Sequence, residues 1–522
     1  MVIGALLLIG TAIYATAQTP NGDDLAWQKS NQKFDQKRAA LVQQVDKEAH
    51  GGPFQPTWES LKTYKVPEWY QDAKFGIFIH WGVYSVPAFG SEWYPRMMYE
   101  KGTKEYQHHV ATFGPQSKFG YKDFIPRFKA EKFDANAWAE LFRKAGAKYV
   151  VPVAEHHDGF AMYNSDLSDW SAAKMGPRQD VVGELEKAVR SKGLHFGASS
   201  HRIEHYFFMN GGREFDSDVR DPNYAAFYGP AHTGLKDLHN GHWGGGHPDP
   251  AYLNDWLART TEIVNKYHPE VIWFDWFIET KEVEPWLQRF AAFYYNDAAR
   301  RGSTAAINYK YDAYPKGAAV LDIERGQLDK PRPEFWQTDT SISVTSWGYI
   351  ENDTFRSPES LIQQLVDIVS KNGTLLLNVG PKPDGTIPER AQKILLDMGR
   401  WLSVNGEAIY GTRPWKIAAE GPTKVVEGAF NDTATRPYTS QDIRFTTKGN
   451  VLYAVALGRP ADGKITIKTL ADGSVAGLGA ISGVQLLGSA ATLQWKRDHG
   501  GLKIELPAQK TGEYAWVFRI TH

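Results

Sequence analysis

The 522-residue sequence contains no cysteine. That excludes disulfides, thiolate catalysis and cysteine-ligated zinc, and it says nothing about compartment. An excess of charge is missing too. The formal net charge of −1 argues against a nucleic-acid partner or a polybasic membrane anchor. No internal repeat or low-complexity tract interrupts the chain, and no Gly-x-Ser-x-Gly elbow stands at a strand-to-helix turn to support a serine triad. The one long apolar run, residues 2–15, is short for a membrane span and ends in Ala15-Thr16-Ala17. This pattern predicts a signal peptide over 1–17, and a mature protein without a membrane span that is periplasmic or secreted.

Aromatic residues are abundant instead: 18 Trp, 25 Tyr and 26 Phe make 13% of the chain. Their faces suit the apolar face of a sugar ring, and equally suit a large core. At this length two domains are the default. Residues 18–54 are polar and helix-prone and read as an N-terminal helical arm. From about residue 55, eight short apolar runs (KFGIFIHWG, AKYVVPVAEHHDGF, LHFGASSH, EVIWFDW, STAAINY, AVLDIE, EFWQTDTSI and GTLLLNVG) occur among helix-like segments. The alternation predicts an α/β fold, a (β/α)8-like TIM-type barrel over 55–418. Beyond it NVLYAVALG, GKITIKTL, ATLQWKR, LKIELP and EYAWVFRI are short strands between Gly and Asp turns, so 419–522 is expected to form an antiparallel β-sandwich. An insertion at about 209–250, containing HNGHWGGGHPDP, reads as a loop over one barrel face. Its His239, His242 and His247 read as solvated.

Polar residues fall where a parallel barrel does its chemistry, at the C-terminal ends of the strands. His80 ends the first run, Glu155-His156-His157-Asp158 the second, His201 the third, Asp275 the fourth and Glu324-Arg325 the sixth. A carboxylate inside VIWFDWFIET must be paired or hydrogen-bonded, and taken alone Asp275 reads as a satisfied strand-end residue. Five capped strands together describe one polar crater. Histidines at 80, 156, 157 and 201 would suit a metal-dependent hydrolase. Two carboxylates on separate strand ends, Asp275 and Glu324, would suit glycoside hydrolysis, which needs an acid and a nucleophile or base. The second reading uses the carboxylates, the aromatics and the histidines together.

PEWYQDAKFGIFIHWGVYSVPA, SEWYPRMMY, EHHDGF, VIWFDW, FWQTDTSISVTSWGY and NGTLLLNVGPKPDGTIPERAQ occur in this order over about 350 residues. The ordered set resembles the α-L-fucosidases of glycoside hydrolase family 29. The resemblance implies a retaining exo-enzyme with a distorted barrel and a C-terminal β-sandwich, no cofactor or metal, and a fucosylated oligosaccharide or glycan as substrate. It implies Asp275 as nucleophile. It places substrate contacts at His80, Glu92, Trp93, His156, His157 and Trp273. Glu324 is the best match to the acid/base, with Asp322 the fallback and Glu334 third. A pocket tyrosine of many members is replaced in GASSHRIEH by Ser200 or His201, and a pocket arginine of some members has no match near Lys310. Rival expectations are a glycosidase acting on a related sugar such as α-L-galactose and a carbohydrate-binding protein without turnover. A homo-oligomer is compatible with the sequence.

Overall fold

The computed structural model describes residues 22–233, 248–474, 477–507 and 512–522. The expected signal peptide and the three histidines of the Gly-rich insertion lie outside the described residues. No helix among the described residues is long and apolar enough to cross a membrane.

Eight parallel strands close into a barrel: β1 (Phe75–Ile79), β2 (Tyr149–Glu155), β3 (His195–Ser200), β4 (Val271–Phe274), β5 (Ala306–Tyr309), β6 (Val320–Asp322), β7 (Trp336–Ser341) and β8 (Gly373–Val379). Each coincides with one of the eight apolar runs. Strands of a covered parallel sheet are buried on both faces, so they read as continuous apolar stretches rather than alternation. Every residue of β1, β2 and β8 is buried. β1 pairs with β8 to complete the ring, Phe75 opposite Leu375 and Ile79 opposite Val379.

Among the described residues, six of the longer helices cover the barrel, and four of these six start on a side-chain cap. Asp134 caps Ala135–Lys144, Asp180 caps Val181–Ser191, Asp249 caps Pro250–Tyr267 and Ser357 caps Pro358–Ser370. Each cap satisfies an otherwise orphaned backbone N–H, a contribution of about 1 kcal/mol. The other two are Glu284–Arg300 and Glu389–Asn405. The β5–β6 and β6–β7 connections contain no helix among the described residues.

The N-terminal helices Gly22–Asn31 and Asp35–Ala49 lie on the outside, where Arg38 Nε donates to buried Asp255 at 2.9 Å. Residues 209–233 are not an open loop. They form short 3₁₀ turns and the helix Ala225–Tyr228, with Asn210, Asp218, Phe227 and Tyr228 buried. Asp218 organises the segment by accepting from the hydroxyls of Tyr99 and Tyr228.

Two antiparallel sheets follow the barrel. One has the order β13 (Gly483–Leu486), β16 (Trp516–Thr521), β11 (Val451–Ala456), β10 (Ile443–Lys448), β9 (Arg413–Glu420); the other has β12 (Lys464–Ile467), β15 (Gly501–Glu505), β14 (Gln494–Asp498). β9, β10 and β13 are additional to the five strands expected. Because β9 pairs with β10, the C-terminal sheet begins before residue 419.

Candidate active site

A cavity of about 460 Å³ opens at the C-terminal ends of the barrel strands. Its lining includes His80, Glu92, Trp93, His156, His157, Trp273, Asp275, Lys310 and Glu324. Every site residue expected from the sequence is therefore here except His201, which lies directly behind Asp275 in the wall, fully buried.

Asp275 follows β4. Its Oδ2 accepts from His201 Nδ1 at 2.8 Å, and its Oδ1 takes the Trp276 backbone N–H at 2.9 Å and lies 3.0 Å from Lys310 Nζ. Burial pushes this carboxyl up, but Lys310 and the His201 hydrogen bond outweigh it and hold Asp275 well below the ordinary carboxylate range. Glu324 follows β6. Burial raises it, the adjacent Lys310 pulls it down, and Asp275 raises it, for a net upward shift. One carboxyl is thus held ionised and its neighbour is biased toward its acid form, as an acid and nucleophile pair requires.

One ammonium fixes their separation. Lys310 Nζ is 3.0 Å from Asp275 Oδ1 and 2.5 Å from Glu324 Oε2, so those two oxygens are at most about 5.5 Å apart, no farther than the ~5–5.5 Å spacing of retaining glycosidases. The alternatives to Glu324 sit elsewhere. Asp322 is tied down by Gln337 and by Trp273 Nε1, and Glu334 is half-buried beside Arg332, outside the cavity lining. Lys310 occupies the place where an expected arginine contact was missing. The sequence signal was the strand AINY ending directly in a lysine, just as the other strands end in His, Asp or Glu.

The histidines are neutral. Burial drives His80 and His156 well below the ordinary imidazole value and brings His157 to about 3. His80 Nδ1 bonds Asn378 Oδ1 at 2.8 Å, leaving its Nε2 for a ligand. His156 Nδ1 is buried without a partner among the described residues. The adjacent pair does not point in opposite directions as it would in a straight strand, because β2 ends at Glu155 and the chain turns. Gly159 (φ 78°) completes that turn where a Cβ would strike the His205 ring at 2.4 Å. Glu204, unassigned in the sequence reading, is fully buried after β3 with Oε2 3.2 Å from His157 Nδ1; the other ring nitrogen of His157 faces Asp275 at 3.5 Å. Burial and the charge of Asp275 hold Glu204 well above the carboxylate range, while His157 Nδ1 donates to the His201 carbonyl at 3.3 Å.

Ring nitrogens of His80, His156 and His201, and those of His157 and His201 with Asp275, approach closely enough to hold a cation. Both groups depend on His201, whose nitrogens already bond Asp275 and Ser199 Oγ.

Glu92 Oε2 accepts from Ser346 Oγ at 3.2 Å and from the backbone N–H of Trp347 at 2.8 Å and Gly348 at 3.4 Å, which points a rigid carboxylate into the cavity. Trp93 lies parallel to Trp276 at 6.4 Å and edge-on to His157 at 5.7 Å. Trp273 is a wall rather than an open platform: it packs on Phe78 and carries Lys310 Nζ over its ring at 4.8 Å. Trp347 also lines the cavity, 5.1 Å from His80.

Comparison with known proteins agrees with this geometry. Residues 41–407 match the family model for α-L-fucosidase, and 431–521 match the model for the α-L-fucosidase C-terminal domain. The chain is 33% identical over 486 residues to the plasma α-L-fucosidase of Homo sapiens, covering 90% of this chain and 92% of that one. It superposes on the Thermotoga maritima α-fucosidase in complex with fucose with a TM-score of 0.69 at 32% identity, over 89% of this chain and 99% of that one. The same enzyme in complex with a mechanism-based inhibitor gives 0.70 at 33% identity, over 90% and 100%. The chain belongs to the α-L-fucosidase family of glycoside hydrolases.

Proposed function

We propose that this protein is a retaining exo-α-L-fucosidase that removes terminal α-L-fucosyl residues from oligosaccharides or glycans in two displacements. Asp275 attacks the anomeric carbon while the acid form of Glu324 donates its proton to the leaving oxygen, giving a covalent fucosyl-enzyme. Glu324, now a carboxylate, takes a proton from water, which attacks the same carbon and releases fucose with its configuration retained. His80, Glu92, His156 and His157 bond the sugar hydroxyls, and Trp93 or Trp273 meets the face bearing the C5 methyl group. His201 orients the nucleophile.

The observation that carries this reading is that one lysine joins the two carboxyls, so that their lysine-bound oxygens lie at most about 5.5 Å apart, short of the ~6.5–9.5 Å separation that an inverting enzyme keeps for its water. A cavity of about 460 Å³ with a buried polar floor suits one terminal sugar, in keeping with exo action. The A-x-A pattern at Ala15-Thr16-Ala17 supports export to the periplasm or the medium.

The test is hydrolysis of 4-nitrophenyl α-L-fucoside by the wild type and by Asp275→Ala. Release by the wild type should fall on the order of a thousandfold or more in the variant. A folded wild type that releases no nitrophenol would contradict the proposal.

A further inference from the structure

Large apolar side chains left exposed in one cluster mark a contact surface. Tyr311, Val344 and Phe430 are three of the seven such side chains among the described residues, and all three line the mouth of the catalytic cavity. Phe430 is 60% exposed and Tyr311 53%. All three flank Glu324. The Phe430 backbone N–H donates to the Glu324 carbonyl at 2.9 Å, Tyr311 follows the lysine that touches the Glu324 carboxyl, and Arg325 Nη1 donates to the Val344 carbonyl at 3.2 Å.

Two of these positions are conformationally costly. Phe430 (φ 58°) and Tyr311 (φ 57°) both sit in the left-handed region, which a bulky L residue keeps only when its surroundings hold it there. At Phe430 the surroundings are a strap. Gly428 exchanges backbone hydrogen bonds with Gln327 at 2.9 and 3.3 Å, and the Asp432 N–H donates to the Arg325 carbonyl at 2.8 Å. Residues 428–432, between β9 and β10, thus run along the turn that carries Glu324, so a segment beyond the barrel brings an aromatic residue to the cavity that Glu324 lines.

We infer that Tyr311, Val344 and Phe430 form an acceptor subsite that receives the apolar C–H face of the leaving sugar ring. The inference rests on the fucosidase reading above, in which Glu324 protonates the leaving oxygen and the departing sugar must therefore stand over the residues around Glu324. The rim combines apolar faces with charged neighbours, Glu324 and Arg325, and a saccharide presents the same combination of C–H faces and hydroxyl edges.

The test compares two substrates: the fucosyl disaccharide that the wild type cleaves best, and α-L-fucosyl fluoride, whose leaving group has no ring. Phe430→Gly and Tyr311→Gly delete each ring and relieve the left-handed backbone, so both variants should fold. The ratio of kcat/KM on the disaccharide to kcat/KM on the fluoride should fall about tenfold or more in each, and Phe430→Tyr should keep it within about twofold of the wild type. An unchanged ratio in both glycine variants overturns the inference, as does a wild type that cleaves the fluoride but no disaccharide; in neither case is the fucosidase reading lost. A wild type that cleaves neither substrate overturns both.

Discussion

In the proposed reaction Asp275 must be ionised to attack and Glu324 must be protonated to donate, yet both touch the ammonium of Lys310. Lys310 lowers both carboxyls, and burial raises both. kcat/KM should therefore fall on the acid side as Asp275 takes up a proton and on the alkaline side as Glu324 loses one. Lys310→Met removes the lowering influence from each, so both limbs of the profile should move to higher pH, with Lys310→Arg close to the wild type. A Lys310→Met profile superposable on the wild type would show that the ammonium does not control these groups. Glu204 fills the space behind His157, fully buried with Oε2 3.2 Å from Nδ1, and the other ring nitrogen faces Asp275. Glu204→Gln keeps the shape and should retain most activity. Glu204→Ala should lose on the order of tenfold or more in kcat/KM and raise KM, since it opens a void behind a histidine proposed to bond substrate. Equal losses in the two variants would mean that the carboxyl itself, and not the space it fills, is required. Asp275 and the histidines were legible in the sequence because polar residues at the ends of apolar strands stand out. Lys310 carried the same strand-end signal after AINY, but its pairing with both carboxyls, like the burial of Glu204, is set only by the fold.

At the scale of elements, strands such as β1, β4 and β8 were readable because they are fully buried and carry apolar runs, whereas β7 (WQTDTS) is fully buried yet mostly polar and was readable from its place in the alternation. β9 and β13 escaped because they are half-exposed, with burial that follows no strict alternation, and β13 has only four residues. Outside the barrel, two helices approach closely. Gly399, within the helix Glu389–Asn405, has no room for a side chain, because a Cβ there would lie 1.9 Å from the Lys144 carbonyl at the end of Ala135–Lys144. Gly399→Ala should force the two helices apart at a cost of roughly 1–3 kcal/mol, despite alanine's higher helix propensity. Denaturant titration would read this as a lower midpoint; a midpoint at or above the wild-type value would contradict the close approach.

Across the whole molecule, the barrel and the C-terminal sheets are joined through buried charge as well as apolar contact. Asp367, in the barrel helix Pro358–Ser370, bonds Lys371 Nζ and Arg444 Nε of β10 at 2.6 Å each, fully buried. Asp367→Ala would strand two cations in the interior and should cost roughly 3–5 kcal/mol in a denaturant melt, while a loss under about 1 kcal/mol would show that the link is dispensable. The sequence revealed two units but not this joint, since Asp367 and Arg444 are far apart in the chain. The central claim, a double displacement on Asp275, is tested most directly by trapping. A 2-deoxy-2-fluoro-α-L-fucosyl fluoride slows both steps by destabilising the oxocarbenium-like transition state, while its good leaving group lets the first proceed. Intact-protein mass spectrometry followed by peptide mapping should find one fluorofucosyl group per chain, attached to Asp275. An adduct on another residue, or hydrolysis of fucosides with no adduct and an inverted first product, would contradict it.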